Sequence, residues 1–431
     1  MKQREFIITG TKINNEEKNI YIKEGKIVDI LPKNQIPDSV LKIEKKGIVL
    51  PALIDIHTHL RDPGQEYKED IISGLKAALA GGFSHIFTMA NTDPVNDTAP
   101  VTRYIIEKAK KHFPNGPHIY PVAALTKGLQ GKELAPLYEL KEAGCIAASN
   151  DGIPVKNNEI FRRAVEYASN ANLLVLDHCE DPDLAKDTCI NEGEIGDRLG
   201  LKGQPTIAEA IQVARDILIS SYLDIPIHLC HISCEQSVEL IYWAKQKGIK
   251  ITAETCPHYL VWDESILEDY NTNAKVNPPL RTKNDVEAIR QAVREKIIDV
   301  IATDHAPHAQ FEKQVPFALA PNGISGLDTA LCLLFELVST NVLSIEDIIR
   351  CMHKRPIEIF SLDIHGIKRN CAANFIIFDT HVEWTVDDNT MISKGKNTPC
   401  FGQKLKGKVT ANFCKGHLIY EFKDMRPIFY D

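Results

Sequence analysis

The sequence predicts an α/β fold: a (β/α)8 TIM-type barrel with a small discontinuous β-sandwich domain formed by both chain ends. Three observations carry this reading. Period-two alternation dominates residues 1–48. From residue 49 onward, eight short apolar runs alternate with amphipathic stretches of helical length. Beyond about residue 370 the strand-like alternation returns. The expected division is 1–48 and 371–431 for the two parts of the small β domain, and 49–370 for the barrel.

At the start, "EFIITG", "NIYIKEGKIVDI" and "VLKIEKKGIVL" read as strands, with "KEGK" as a turn between two of them. The barrel runs are then "IVLPALIDI", "FSHIFTMA", "HIYPVAAL", "GCIAAS", "NLLVLD", "IPIHLC", "KITAETC" and "DVIATD". Between them lie helix-like segments such as "KEDIISGLKAALAGG", "NEIFRRAVEYASNA", "SVELIYWAKQKG" and "KNDVEAIRQAVREK". Eight strand–helix pairs in series point to a closed barrel rather than an open sheet. "ANFIIFD" and "KVTANFCKGHLIYEF" return to strands and complete the small domain.

Composition narrows the function classes. The chain has 431 residues, 44% hydrophobic and 25% charged, as in an ordinary globular protein. A formal charge of −8 argues against nucleic acid or an anionic membrane as partner. "MKQREFIITG" lacks the apolar segment of a signal peptide, and no run approaches the ~20 apolar residues of a membrane span. Eleven scattered cysteines with no C-x-x-C read as small buried side chains, reduced in a cytoplasmic protein.

A barrel carries its chemistry at the carboxyl ends of its strands. Here the first run ends in His57 and His59, which share a face because strand side chains repeat with period two. The fourth ends at Asn150 and Asp151, the fifth at His178, the sixth at His231 and the eighth at Asp304. Each alone has a plain structural reading. Together, four imidazoles and two carboxylates at one mouth form a ligand set too large for one tetrahedral ion, so two bridged zinc ions are favoured over one. Asp55 reads either as a partner orienting an imidazole or as a strand-end cap. His112, His118, His228, His353 and His365 fall off the pattern and read as surface or structural residues.

These residues match a family. "DIHTHLRDPGQEYKEDIISGLKAALAGGF", "NTDPV", "NEGEIGDRLGL", "HLCHIS", "KVNPPLR", "IATDHAPH", "APNGISGLDTAL" and "KNTPCFG" resemble segments of the amidohydrolase superfamily, and within it the type I dihydroorotases. The resemblance covers about residues 10–420. It implies reversible, zinc-dependent cyclisation of N-carbamoyl-L-aspartate to L-dihydroorotate in pyrimidine synthesis. His57, His59 and Asp304 would hold the more buried zinc and His178 and His231 the second, with Asp151 as the bridge. His59, Arg61, Asn91, Asn277 and His308 would contact substrate, with the Asn322–Gly323 backbone against the pyrimidine ring, and Asp304 would shuttle the proton. A homodimer is expected, and docking on aspartate carbamoyltransferase is open. Arg61, two residues beyond His59, is expected on the same strand face, offering a bidentate fork to the substrate carboxylate.

Ala90, Asn150 and Asn322 depart from the family pattern, and His258 receives no role. Two rivals remain. Hydantoinases and allantoinases usually bridge their metals with a carboxylated lysine at the end of the fourth strand, where this chain has Asn150-Asp151 and its nearest lysine is Lys156. Non-catalytic dihydroorotase-like subunits of aspartate carbamoyltransferase typically lose ligands, whereas every ligand position here is filled. "DHAPHAQFEKQVPFALAPNG", just after the eighth run, is the stretch expected to form a mobile active-site loop.

Overall fold

The computed structural model describes residues 5–14, 16–38 and 40–430. Four strands open the chain: β1 Glu5–Ile13, β2 Glu16–Lys23, β3 Lys26–Pro32 and β4 Leu41–Pro51. The β2–β3 hairpin turns on Glu24 and Gly25, both with positive φ, as a tight two-residue connection requires. After Ala52 the barrel begins with β5 Leu53–Thr58, β6 Phe83–Thr88, β7 His118–Ala124, β8 Ala147–Ser149 and β9 Leu174–Asp177. A short pair outside the barrel, β10 Ile190–Asn191 and β11 Gly203–Gln204, precedes β12 Ile227–Leu229, β13 Ile251–Thr255 and β14 Val300–Ile301. β15 Phe375–Thr385, β16 Lys404–Cys414, β17 His417–Lys423 and β18 Arg426–Phe429 end it.

Barrel neighbours pair in parallel in the order β5-β6-β7-β8-β9-β12-β13-β14. The seam between the last strand and the first is closed by side chain and loop. Asp55 Oδ1 accepts from the Thr303 N–H at 3.0 Å, and the His59 N–H donates to His305 O at 2.8 Å. Asp55 thus holds backbone across the seam and does not touch an imidazole ring; its burial raises its carboxyl to about 6.

The four helix-like stretches form helices at Ile71–Gly81, Asn158–Asn170, Glu235–Gln246 and Lys283–Arg294. Local chemistry sets their ends. Asp70 and Ser73 form a reciprocal capping box, as do Thr282 and Asp285, each cap contributing about 1 kcal/mol. Gly82, at φ 96°, ends the first helix. Inside the barrel Ile54, Ile56, Val122, Leu176 and Val300 form an apolar layer, and Phe360 packs edge-on against Phe87 at 4.6 Å. The apolar floor leaves one wet end, where the strands' carboxyl termini lie.

The small domain is one continuous sheet, ordered β18-β17-β16-β15-β4-β1-β2-β3. β1 and β16 are three strand spacings apart, about 14 Å in a flat sheet, yet the Phe6 and Phe413 rings stack at 6.1 Å. The sheet therefore folds over itself, and its two halves supply the two faces of the sandwich. No helix among the described residues is long and apolar enough to cross a membrane.

Candidate metal centre and substrate cavity

His57 is fully buried near the end of β5. Its Nδ1 lies 2.6 Å from Glu254 Oε1 on β13, so that nitrogen carries a proton and donates it. Nε2 then faces Asp151 Oδ1 at 3.4 Å and Asp304 Oδ1 at 3.5 Å, and makes no hydrogen bond although buried. His59, one residue past β5, has its Nε2 3.1 Å from Asp304 Oδ1 and 3.4 Å from Asp151 Oδ2. Its Nδ1 is 2.8 Å from Asn91 Oδ1. Just beyond β9 and β12, His178 Nδ1 and His231 Nε2 approach to 2.8 Å, each 3.4 Å from Asp151 Oδ1.

The donor set fits zinc. Ligands at about 2.0–2.2 Å from a tetrahedral ion lie about 3.3–3.6 Å from one another, and the contacts around Asp151 and Asp304 fall largely at that spacing. His57, His59 and Asp151 form one compact group and Asp151, His178 and His231 another, sharing the aspartate. The electrostatics agree. Burial opposes a charge on His57, yet Asp151 and Glu254 outweigh it and raise the ring's pKa well above its ordinary value. His178 is raised to about 10 against its burial by Asp151 and Glu180. Asp151 and Asp304 stay far below the usual carboxylate range despite burial, because imidazoles surround them. The cluster attracts positive charge, which a divalent cation supplies while leaving the rings neutral.

Above the cluster lies a cavity of about 220 Å³. Its wall contains every residue expected at the site except His57, which lies beneath it: His59, Arg61, Asn91, Asp151, His178, His231, Asn277, Asp304, His308, Asn322 and Gly323. Arg61 reaches the wall for a different reason from the one its spacing suggests. β5 ends at Thr58, and Arg61 sits in a turn with φ +60°, so turn geometry places it rather than strand periodicity. Its Nε donates to Pro307 O at 3.3 Å, and among the described residues no carboxylate lies within ion-pair reach. His308 Nε2 is 2.9 Å from Asn322 O and must carry a proton there, so its 3.4 Å approach to Arg61 Nη2 satisfies neither group. Burial and the Arg61 charge push His308 down to about 2, keeping it neutral.

Around Asn277, the amide Nδ2 donates to Glu180 Oε2 at 2.7 Å, and Oδ1 accepts from Gln204 Nε2 at 3.2 Å. Gly323 is held at φ +143°, where a Cβ would meet Ala306 O at 2.5 Å, and its N–H already donates to Lys275 O at 2.8 Å. The stretch 304–323 carries a short helix, Gln310–Lys313, and two buried lysines brace it. Lys275 Nζ donates to Phe317 O and Ala320 O, and Lys313 Nζ to Thr272 O and Pro321 O.

Two of the departures, Asn150 and Ala90, have local explanations. Asn150 accepts from the Thr126 N–H and hydroxyl and donates to Leu129 O and Ile153 O, a mixed role an aspartate cannot fill. Ala90 O closes its turn without proline, accepting from the Thr92 and Asn96 N–H groups. Spacing had pointed to neither Glu254 nor Glu180. A carboxylate inside an apolar parallel strand, as in "KITAETC", was the available signal, since a buried charge needs a partner. His228 is buried and bonds Glu254 at 3.3 Å.

Fold and site together define a class: barrel proteins with a histidine–carboxylate cluster at the strand ends that could hold a metal ion. Residues 46–237 match the family model described as "Dihydro-orotase-like". A protein named dihydroorotase from Syntrophus aciditrophicus (strain SB) is 43% identical over 405 residues, covering 94% of this chain and 95% of its own. Another of that name, from Acetivibrio thermocellus, is 45% identical over 406 residues, covering 94% and 95%. The chain belongs to the dihydroorotase family. In fold it is similar to the L-hydantoinase of Arthrobacter aurescens, at TM-score 0.83 and 19% identity over 97% of this chain and 96% of that one. The dihydropyrimidinase of Brevibacillus agri gives 0.80 and 21%, over 96% and 95%.

Proposed function

We propose that this chain is a type I dihydroorotase, interconverting N-carbamoyl-L-aspartate and L-dihydroorotate in pyrimidine synthesis. The observation that carries the reading is Arg61. Its guanidinium, without a carboxylate partner, faces the same small cavity as the metal-ligand cluster, as an anionic cyclic amide requires. Relatives named dihydroorotase, at 43–45% identity over nearly the whole chain, support it.

Zinc, two ions being favoured, would be held by His57, His59 and Asp304 on one side and His178 and His231 on the other, with Asp151 shared. Bound there, it supplies Lewis-acid polarisation of the ring carbonyl and acidifies water. The protein's own residues do the rest. Arg61 grips the substrate carboxylate, and Asn91, which orients His59, presents its amide to the ring. Asn277, His308 and the Asn322 backbone complete the seat; because Gly323's N–H is engaged, Gly323 shapes the wall by lacking a side chain. In hydrolysis, water adds to the carbonyl carbon, the carbon–nitrogen bond breaks, and Asp304 carries the water's proton to the leaving ring nitrogen. Cyclisation reverses these steps.

The hydantoinase reading is disfavoured by Lys156, which is exposed and paired with Asp183 at 2.5 Å rather than set between the metal sites. A cytoplasmic homodimer and the domain limits 1–48, 49–370 and 371–431 belong to the same proposal, which leaves docking on aspartate carbamoyltransferase open. The deciding experiment compares turnover of dihydroorotate, hydantoin and allantoin before and after chelation and zinc return. Zinc-restored preference for dihydroorotate is expected; faster turnover of hydantoin or allantoin would overturn the reading.

A further inference from the structure

We propose that Glu254, backed by His228 and Thr252, is a positioning residue that fixes the ring of His57 for metal binding. This rests on the metal-centre reading above. A polar chain runs inward from the centre: His57 Nδ1 to Glu254 Oε1 at 2.6 Å, Glu254 Oε2 to His228 Nε2 at 3.3 Å, and His228 Nδ1 to Thr252 Oγ1 at 2.8 Å. His57, Glu254 and His228 are all buried, and Thr252 borders a cavity at the opposite end of the barrel. The chain therefore crosses the barrel interior.

Stability of the fold does not account for it. The surrounding layer is apolar, and apolar residues of similar volume replace buried ionic groups with neutral or stabilising effect. What the chain does is fix one ring. Glu254 accepts the hydrogen bond from Nδ1–H, which keeps the proton on that nitrogen and leaves the Nε2 lone pair of His57 facing Asp151 and Asp304. His228 holds Glu254's other oxygen and so prevents the carboxylate from rotating away. Cys230, His57 and Glu254 also lie close enough to be considered ligands themselves. The contact is made at Nδ1, whereas it is Nε2 that faces Asp151 and Asp304, so Glu254 hydrogen-bonds the far side of the ring instead of sharing its ion. Glu254 acts through His57.

The test measures zinc affinity by competition with a chromophoric chelator for the wild type, E254L, E254Q and H228Q. Zinc K-edge absorption and melting of the metal-free proteins accompany it. In E254L the zinc on the His57 side is expected to bind about 10- to 100-fold more weakly. E254Q, whose amide oxygen still accepts from His57, recovers part of that loss, and metal-free melting does not track the affinities. Absorption shows nitrogen and oxygen neighbours only. Wild-type affinity in E254L, or equal loss in E254L and E254Q, overturns the proposal, as does sulfur scattering at about 2.3 Å, which would make Cys230 a ligand. If E254L does not fold, H228Q carries the test: weakened zinc binding with unchanged metal-free melting supports the proposal, and unchanged binding overturns it. A wild-type protein that binds no zinc would overturn the metal-centre reading as well; intact wild-type binding with unaltered variants removes this inference alone.

Discussion

Replacing Arg61 with methionine keeps most of the stem and removes the fork. In the free protein the guanidinium makes one long hydrogen bond to Pro307 O and faces the cavity unpaired, so its removal takes away a poorly compensated charge. Burial already lowers its affinity for the proton, a sign of that cost. Thermal stability of R61M is therefore expected to equal or exceed that of the wild type. With dihydroorotate bound, the same substitution strands the substrate carboxylate. Breaking a buried charge-assisted pair costs about 2–5 kcal/mol; Arg61 is only partly buried, which places it near the lower end, about 2–3 kcal/mol. That corresponds to roughly a 30- to 150-fold fall in kcat/KM. The assay follows dihydroorotate hydrolysis beside that of dihydrouracil, the same ring without the carboxylate. Activity on dihydrouracil should hold or rise. An equal loss on both substrates would refute the carboxylate contact.

Three further expectations follow from the same geometry. In the proposed mechanism D304N removes both a ligand and the proton carrier, so kcat is expected to fall by about 10²- to 10⁴-fold even when zinc is in excess, as steady-state kinetics at saturating substrate would measure. G323A forces a side chain into positive φ beside Ala306 O, costing about 1–3 kcal/mol in urea unfolding and raising KM more than it lowers kcat. Burial and the Lys275 charge push Lys313 down to about 7. Between that pH and about 10.4 the unfolded chain holds more protons than the folded one, so this lysine makes stability rise with pH. Unfolding series on wild type and K313M should show the difference growing in the wild type's favour over that window; parallel curves would contradict it.

The residues that the structure brings together in the candidate site were legible because a strand gives two things at once: an apolar run that identifies it and a polar end that closes it. His57, Asp151, His178, His231 and Asp304 all lie within three residues of a strand terminus. The supporting carboxylates were not legible. Glu254 sits 197 positions from His57, and spacing along a strand says nothing of the partner across the barrel. Arg61 was found by its neighbours' identity, but the period-two argument failed because the backbone had already left the strand. β10, β11 and the helix Glu194–Leu199 are too short to show a period, yet they bring Gln204 within reach of Glu180 and Asn277. The curl that turns one sheet into both faces of a sandwich depends on contacts such as Phe6 with Phe413, beyond any local pattern.

β4 pairs with β1 on one edge and with β15 on the other, and the two partners are made at very different times. Pro51 and Phe375 are paired across 324 positions of chain, which a ribosome adding about 5–20 residues per second takes about 15–65 s to traverse. During that interval β4 has an unpaired edge bearing Ile48 and Leu50, the kind of surface that recruits other chains. Emergence of the final strands closes this edge, so slower synthesis lengthens the time for which it stands open to other chains.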